Sequence, residues 1–438
     1  MKFIPHHSMN LEQELLENFE QSNWDSGVDG RRLASRFSAI SQIGRTEEGG
    51  SRRIGFTKEE QFAKKVVAGW MEEAGLEVTV DGAGNVFGKL EGTESAAIIQ
   101  SGSHVDTVPN GGHFDGVLGV LAAIEVAQAW KDTGYRPRHS FEVAVFSDEE
   151  GARFHSGVTG SRAMAGELNR DVQRALEDEH GRSFENVLED NNLSLTGLIE
   201  AKRDLSALKA FVEVHIEQGK QLEKNNLPYG IVSGIAGPCW LEVTFKGEAG
   251  HAGNTPMNDR SDALVTASSF VEKVSTLPRQ VSETAVATVG KMMVSPGGVN
   301  VIPGQVTVTV DIRDIDEAQR DELVTLVQRT AEQVANAHQT ELEIMESIRV
   351  KPVPVDPELY LLAGKAMEMA SGLDPFYLAS GAGHDAMIIG KYVPMVMFFT
   401  RSRKGVSHSP LEWSSLEDCV ETIHALKIFI EELDQNES

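Results

Sequence analysis

Four short stretches concentrate side chains able to hold cations and move protons. Gly102-Ser103-His104-Val105-Asp106-Thr107 is followed closely by His113-Phe114-Asp115-Gly116. Histidine and aspartate after an apolar strand suit metal ligation at the carboxyl edge of an α/β sheet, and Asp106 could orient the His104 ring. The same residues would also serve as polar turn residues capping the next helix. Ser147-Asp148-Glu149-Glu150-Gly151 directly follows an apolar run ending at Phe146. Adjacent carboxylates repel unless a cation or water separates their tasks, one ligating and the other handling protons. A solvated acidic turn is the alternative in so acidic a chain. Glu213-Val214-His215-Ile216-Glu217-Gln218-Gly219 closes a strand pattern, where His215 fits a core role as well as a ligand. Gly405-Val406-Ser407-His408-Ser409-Pro410 carries an imidazole in a loop and is a weak signal alone. Together, His104, Asp115, Glu150, His215 and His408 offer three imidazoles and two carboxylates. That set suits two borderline divalent ions with one bridging carboxylate and no thiolate. Glu149 is left for proton transfer. Two such ions would polarise a carbonyl and activate a water.

These residues need strands and helices to bring them together. The patterning predicts a helix over Lys58–Ala74, strands at Leu76–Val80, Val86–Leu90 and Ala97–Ser101, then a helix over Gly116–Lys131. Strands follow at Ser140–Phe146 and Phe211–Ile216, with a charged, helical excursion at 167–205. His104 and Asp115 are expected on a loop. Such alternation reads as an α/β layer architecture. Residues 1–30 read as a helix and lead-in. The stretch 235–350 differs: strand Trp240–Lys246, helix Arg260–Ser275, strands Thr284–Lys291 and Gln305–Arg313, helix Asp316–Ala337 and strand Glu341–Val350. That β-α-β-β-α-β order matches the ferredoxin-like arrangement. The first pattern then resumes with strands Phe376–Leu378 and Val393–Phe399 and a closing helix Leu416–Leu433. The expectation is a split α/β domain over 1–234 and 351–438, with a compact domain inserted at 235–350.

Composition narrows the function. The 438 residues include 40 basic and 66 acidic ones, a formal net charge of −26. That argues against a basic nucleic-acid face and disfavours anionic membranes. The two cysteines, Cys239 and Cys419, make neither a disulfide framework nor a thiolate metal site. They fit a reducing cytoplasm. The opening Met1-Lys2-Phe3-Ile4-Pro5-His6-His7 has no long apolar stretch behind its charge, so no secretory signal is expected. The apolar run Gly116–Trp130 carries Glu125 and falls short of the roughly 20 residues that span a bilayer.

Longer strings carry a resemblance: GSHVDTVPNGGHFDG, FSDEEGARF, HIEQG, GIAGP, GEAGHAGNTPM, GVNVIPG, DIRDID, SGAGHDA and GVSHSPLEWSS. From about Phe56 to Cys419 the chain resembles the M20-type metallohydrolases, and within them the amidase, hydantoinase and carbamoylase subfamily. The resemblance implies a discontinuous catalytic domain with helices on a mixed sheet and an inserted dimerisation or lid domain. It implies one metal on His104 and His215, another on Glu150 and His408, and Asp115 bridging them. The ions would be Zn, or Mn, Co or Ni. Glu149 matches the family's catalytic base, with Asp106 supporting His104.

The HIEQG version, with histidine and glutamine, looks like the carbamoylase branch. Gln218 has both a donor and an acceptor with which to read a ureido group, although a glutamine capping a loop is the alternative. The resemblance also implies substrate contacts from His251, Asn300 and Arg313 in the inserted domain and from His384. Arg313 can grip a carboxylate bidentately, and His251 can donate to an oxyanion. Without the motif, Arg313 would read as an ion pair with Asp311 or Asp314. The implied protein is a homodimeric cytoplasmic N-carbamoyl-L-amino acid hydrolase, with His251 serving its own site or its neighbour's. Allantoate amidohydrolase and β-ureidopropionase are alternatives. An aminoacylase, a dipeptidase or a non-catalytic binding protein is more distant. Asn254 stands where a small residue is commoner.

Overall fold

The structure is a computed structural model that describes residues 10–21 and 26–436. The reading of Met1–His7, and part of the lead-in expected before residue 30, lie outside the described residues. The chain divides into two units. The first comprises Met1–Val232, Val355–Leu378 and His384–Ser438; the second comprises Ser233–Pro354 and Ala379–Gly383.

The first unit is a mixed α/β layer structure. Across its sheet the strands run Glu77–Val80, Val86–Leu90, His139–Phe146, Ser95–His104, Leu208–Ile216, Met395–Thr400 and Tyr229–Ile235. The middle four are mutually parallel, and the flanking pairs are antiparallel. Register places His104 beside Phe146, and His215 beside Phe399. The carboxyl ends of four neighbouring strands therefore open on one edge. Central parallel strands must be apolar on both faces. Phe141–Phe146 is accordingly buried throughout.

The apolar run after Gly116 becomes the helix Val117–Thr133, buried along nearly all of its length. Its buried acid, Glu125, takes Arg32 at 2.6 Å and Arg36 at 3.4 Å from the helix Gly30–Ser41. No helix among the described residues is long and apolar enough to cross a membrane. The closing helix Leu416–Gln435 is tied alongside by Trp130, whose indole donates to Glu431 at 2.8 Å. The excursion at 167–205 holds three short helices, Arg170–Arg174, Phe184–Asp190 and Leu195–Glu200. The last two share a small apolar core with Phe56 and Phe154.

Several elements differ from the sequence expectation. His104 is the last residue of its strand and not part of a loop. The helices Gly30–Ser41 and Pro357–Ser371 and the strand Tyr229–Ile235 are additional.

The second unit is a four-stranded antiparallel sheet with two helices. In chain order its elements are strand Gly237–Lys246, helix Ala263–Val274, strands Val286–Ser295 and Gln305–Asp314, helix Glu317–His338 and strand Glu341–Arg349. Across the sheet the strands beginning at 341, 237, 305 and 286 are neighbours. Alternation puts Cys239, Leu241, Val243 and Phe245 in one core with Val306, Val308, Val310 and Ile312. That face packs on helix residues such as Phe270, Leu323 and Val327. Asp262 and Asp316 cap the two helices through their side chains.

Candidate active site

Each of the four parallel strands delivers part of one cluster. Strand Ser95–His104 ends on His104, and the following loop carries Asp106 and Asp115. Strand His139–Phe146 leads into Glu149 and Glu150. Strand Leu208–Ile216 presents His215 and then Gln218. Strand Met395–Thr400 leads into the loop bearing His408.

Donor atoms of His104, Asp115 and His215 lie within 4.8 Å of one another, and so do those of Asp115, Glu150 and His408. Asp115 belongs to both groups. Its Oδ1 lies 3.1 Å from Nε2 of His215 and 3.6 Å from Nε2 of His104. Its Oδ2 lies 3.4 Å from Nε2 of His408, which in turn is 3.5 Å from Glu150. One carboxylate oxygen thus faces each group. Five of these six side chains, with Glu149 among them, are at most 12% exposed, whereas His408 is 51% exposed.

The rings are oriented from behind. His215 Nδ1 lies 3.0 Å from the Ile216 carbonyl, and His104 Nδ1 lies 3.2 Å from the Asp106 carbonyl. A carbonyl can only accept, so each Nδ1 carries the proton and each Nε2 lone pair points into the cluster. Asp106 also accepts from the backbone amides of Glu149 and Glu150, both at 3.1 Å. It therefore joins the His104 strand to the acidic turn. Gly116 is required beside His104, because a Cβ there would fall 2.4 Å from its ring and the residue has φ +66. Non-glycine residues also take the left-handed region at Asp148, Gln218 and His408, each at or beside a cluster residue. Such strain concentrates at functional sites.

Electrostatics show what the cluster lacks. Burial pushes the Glu149 carboxyl well above its ordinary range, and Glu150 adds to that. Burial and Asp115 raise Glu150 to about 7. Burial depresses His104, but Glu149, Asp106 and Asp115 outweigh it and hold the ring well above its usual value. His408 rises to about 9 through its hydrogen bond to Asp115. Glu149, Glu150, His104, His215 and His408 all shift toward binding protons, whereas Asp115 shifts the other way: burial would raise it, but His215, His408 and His104 hold it well below its ordinary range. Oxygen and imidazole donors in two groups sharing one carboxylate fit a pair of divalent ions.

The remaining predicted residues fall in two sets. In the first unit, the Gln218 amide donates to Asp115 Oδ2 at 2.8 Å and to Ser407 at 3.1 Å. His384 is buried with its ring 4.6 Å from that of His215, and burial followed by His215 pushes it well below its ordinary value. In the second unit, His251 lies in a two-residue strand paired with Val301–Ile302. Asn300 is brought beside it, its carbonyl accepting from Ala252 at 3.0 Å. His251 Nδ1 accepts from the Gly253 amide at 3.1 Å, so its proton sits on Nε2. Arg313 lies on another strand. Its guanidinium is held by Asp311, with Nη2 at 2.7 Å, and by the Gly381 carbonyl. The Asp311 pair that sequence alone suggested is present.

Sequence reasoning left Glu412 unassigned. It is buried against the Asp115 loop, and burial together with Asp115 raises it to about 7. Its only sequence signal was its place in the GVSHSPLEWSS string. Arg53 was also missed; it is buried behind Asp106, donating to the Val105 carbonyl at 2.8 Å.

Known proteins resemble the chain along most of its length. Residues 101–432 match the family described as Peptidase family M20/M25/M40. An N-carbamoyl-L-amino acid amidohydrolase of Geobacillus stearothermophilus is 42% identical over 413 residues, covering 94% of this chain and 100% of that protein. An allantoate amidohydrolase of Bacillus subtilis is 36% identical, covering 88% of this chain and 93% of that one. Among solved structures, an amidase of the hydantoinase/carbamoylase family from Burkholderia multivorans aligns with a TM-score of 0.86 at 33% identity, covering 92% of this chain and 98% of that one. A complete donor set on this fold, and likeness over nearly the whole chain, make the protein a member of peptidase family M20, among its hydantoinase/carbamoylase amidases.

Proposed function

We propose that the protein is a binuclear metal-dependent N-carbamoyl-L-amino acid hydrolase. The observation that carries the metal chemistry is the division of Asp115, one oxygen toward His104 and His215 and the other toward Glu150 and His408. The amidohydrolase relatives, three of them named for N-carbamoyl-L-amino acids, support the substrate class.

His104 and His215 would hold one ion, Glu150 and His408 the other, and Asp115 both. The bound pair, Zn or else Mn, Co or Ni, supplies carbonyl polarisation and a water acidic enough to attack near neutral pH. Glu149 takes the proton of that water and returns it to the leaving nitrogen. Asp106 keeps His104 and the Glu149–Glu150 turn in place. His251, with its proton on Nε2, donates to the oxyanion. Arg313 binds the substrate carboxylate, Asn300 adds a donor, Gln218 reads the ureido group, and His384 lines the site. One water cleaves a C–N bond. The carbamic acid released then breaks down, giving free amino acid, ammonia and carbon dioxide.

The catalytic domain spans 1–234 and 351–438 in this reading. Residues 235–350 form a ferredoxin-like dimerisation and lid domain, and the enzyme is a cytoplasmic homodimer that binds neither nucleic acid nor membrane. The test is ammonia release from N-carbamoyl-L-methionine and from allantoate after loading with Mn2+, Co2+, Ni2+ or Zn2+. Faster release from the carbamoyl amino acid is expected. Preference for allantoate would transfer the assignment to the allantoate amidohydrolases, and no release from either would overturn it.

A further inference from the structure

Glu412 makes three hydrogen bonds that join two ligand-bearing loops. Its Oε1 accepts from the backbone amides of Phe114 at 2.9 Å and Asp115 at 3.1 Å. Its Oε2 lies 2.8 Å from the Ser407 hydroxyl. Ser407 precedes His408, and its hydroxyl is also 2.8 Å from Asp115 Oδ2. A hydroxyl has one proton, so it can donate to only one of these carboxylates at a time. The Gln218 amide fills an acceptor position on the same oxygen. The fold makes room for this arrangement: a Cβ at Gly112 would stand 2.1 Å from Glu412 Oε1. Trp413 closes the same junction, edge-on to Phe114 with centroids 5.8 Å apart.

The two halves of the cluster depend on this junction unequally. His104 ends its sheet strand and His215 is the penultimate residue of its own, and their rings are held by nearby backbone carbonyls, those of Asp106 and Ile216. His408 is the exposed member, lies in a loop, and has φ +54. Its tie to the Asp115 loop runs through Ser407 and Glu412.

We propose that Glu412 is a positioning residue for the Asp115–Glu150–His408 half of the cluster, acting through Ser407 to lock the His408 loop onto the Asp115 loop. The inference rests on the two-metal reading above. Groups that hydrogen-bond metal ligands and hold them in place are worth about 10–100-fold in affinity. Loss of Glu412 should fall on one of the two ions. Glu412→Gln preserves much of the junction, because its carbonyl accepts from both amides and its NH2 donates to Ser407.

The test titrates Co2+ into chelator-stripped full-length protein against a chromophoric competitor, with the Co2+ visible absorption recorded in parallel. Two tight ions are expected in the unsubstituted protein; fewer would overturn the metal reading before any variant is compared. In Glu412→Ala, one ion should weaken by about 10–100-fold while the other holds, and Glu412→Gln should restore most of the loss. Unchanged affinity for both ions, or equal weakening of both, would overturn the role. If Glu412→Ala does not fold, Ser407→Ala decides: it should weaken the same single ion, and two unchanged ions would refute the proposal.

Discussion

Glu149 and Glu150 are sequence neighbours with different surroundings. Glu150 faces His408 at 3.5 Å, whereas Glu149 faces His104 at 3.6 Å and stays outside both donor groups. In the proposed mechanism that difference separates base from ligand. Glu149→Gln keeps the shape and removes the base, so turnover should fall by about 100-fold or more with metal content intact. Near-normal turnover in a fully metallated variant would refute the role. Arg313 is fixed along one edge by Asp311 and by the Gly381 carbonyl, which leaves further N–H groups for a carboxylate. Arg313→Lys should raise KM for a carboxylate-bearing ureide, because lysine lacks the planar fork. A ureide without the carboxylate should be unaffected, and equal losses on both would make Arg313 a structural residue. At this scale the sequence was informative about residue types. It could not show that the Gln218 amide rests on Asp115, or that Glu412 sits behind that aspartate. Those contacts link positions 103 and 297 residues apart.

Four strands that are neighbours in the sheet are not consecutive in the chain, and their order decides which loops meet. The strands themselves were legible from apolar runs and alternation. Their order across the sheet was not, since Leu208–Ile216 pairs with a strand nearly at the other end of the chain. Tyr229–Ile235 escaped notice because Gly230 and Gly234 interrupt its apolar run. The missed helices had legible starts: Asp29 caps one, and Asp356 followed by Pro357 caps the other. The helix Gly30–Ser41 is bound to the buried helix Val117–Thr133 through Glu125, whose side chain is fully buried. Glu125→Ala would leave Arg36 buried without its carboxylate and Arg32 with Asp132 at 3.0 Å. It should destabilise the fold by about 3 kcal/mol in urea unfolding. A change below about 0.5 kcal/mol, the usual range of surface substitutions, would show that the two helices do not rely on this pair.

Across the whole molecule, an excess of acid meets a buried cluster that itself lacks positive charge. The net charge of −26 was readable at once and argued against a basic nucleic-acid face. The division of labour in the chain follows from the fold. One unit gathers the donors at the ends of parallel strands, and the other carries His251, Asn300 and Arg313 on an antiparallel sheet. The proposed hydrolysis of a carbamoyl amino acid requires two ions to be held through the one shared carboxylate of Asp115. Its most direct test is to titrate a divalent ion into chelator-stripped enzyme while recording ammonia and amino acid released from N-carbamoyl-L-methionine. Expected are no turnover without metal, equimolar products, and a rate that reaches its plateau only at the second equivalent per chain. Full turnover without metal, or a plateau at the first equivalent, would contradict it.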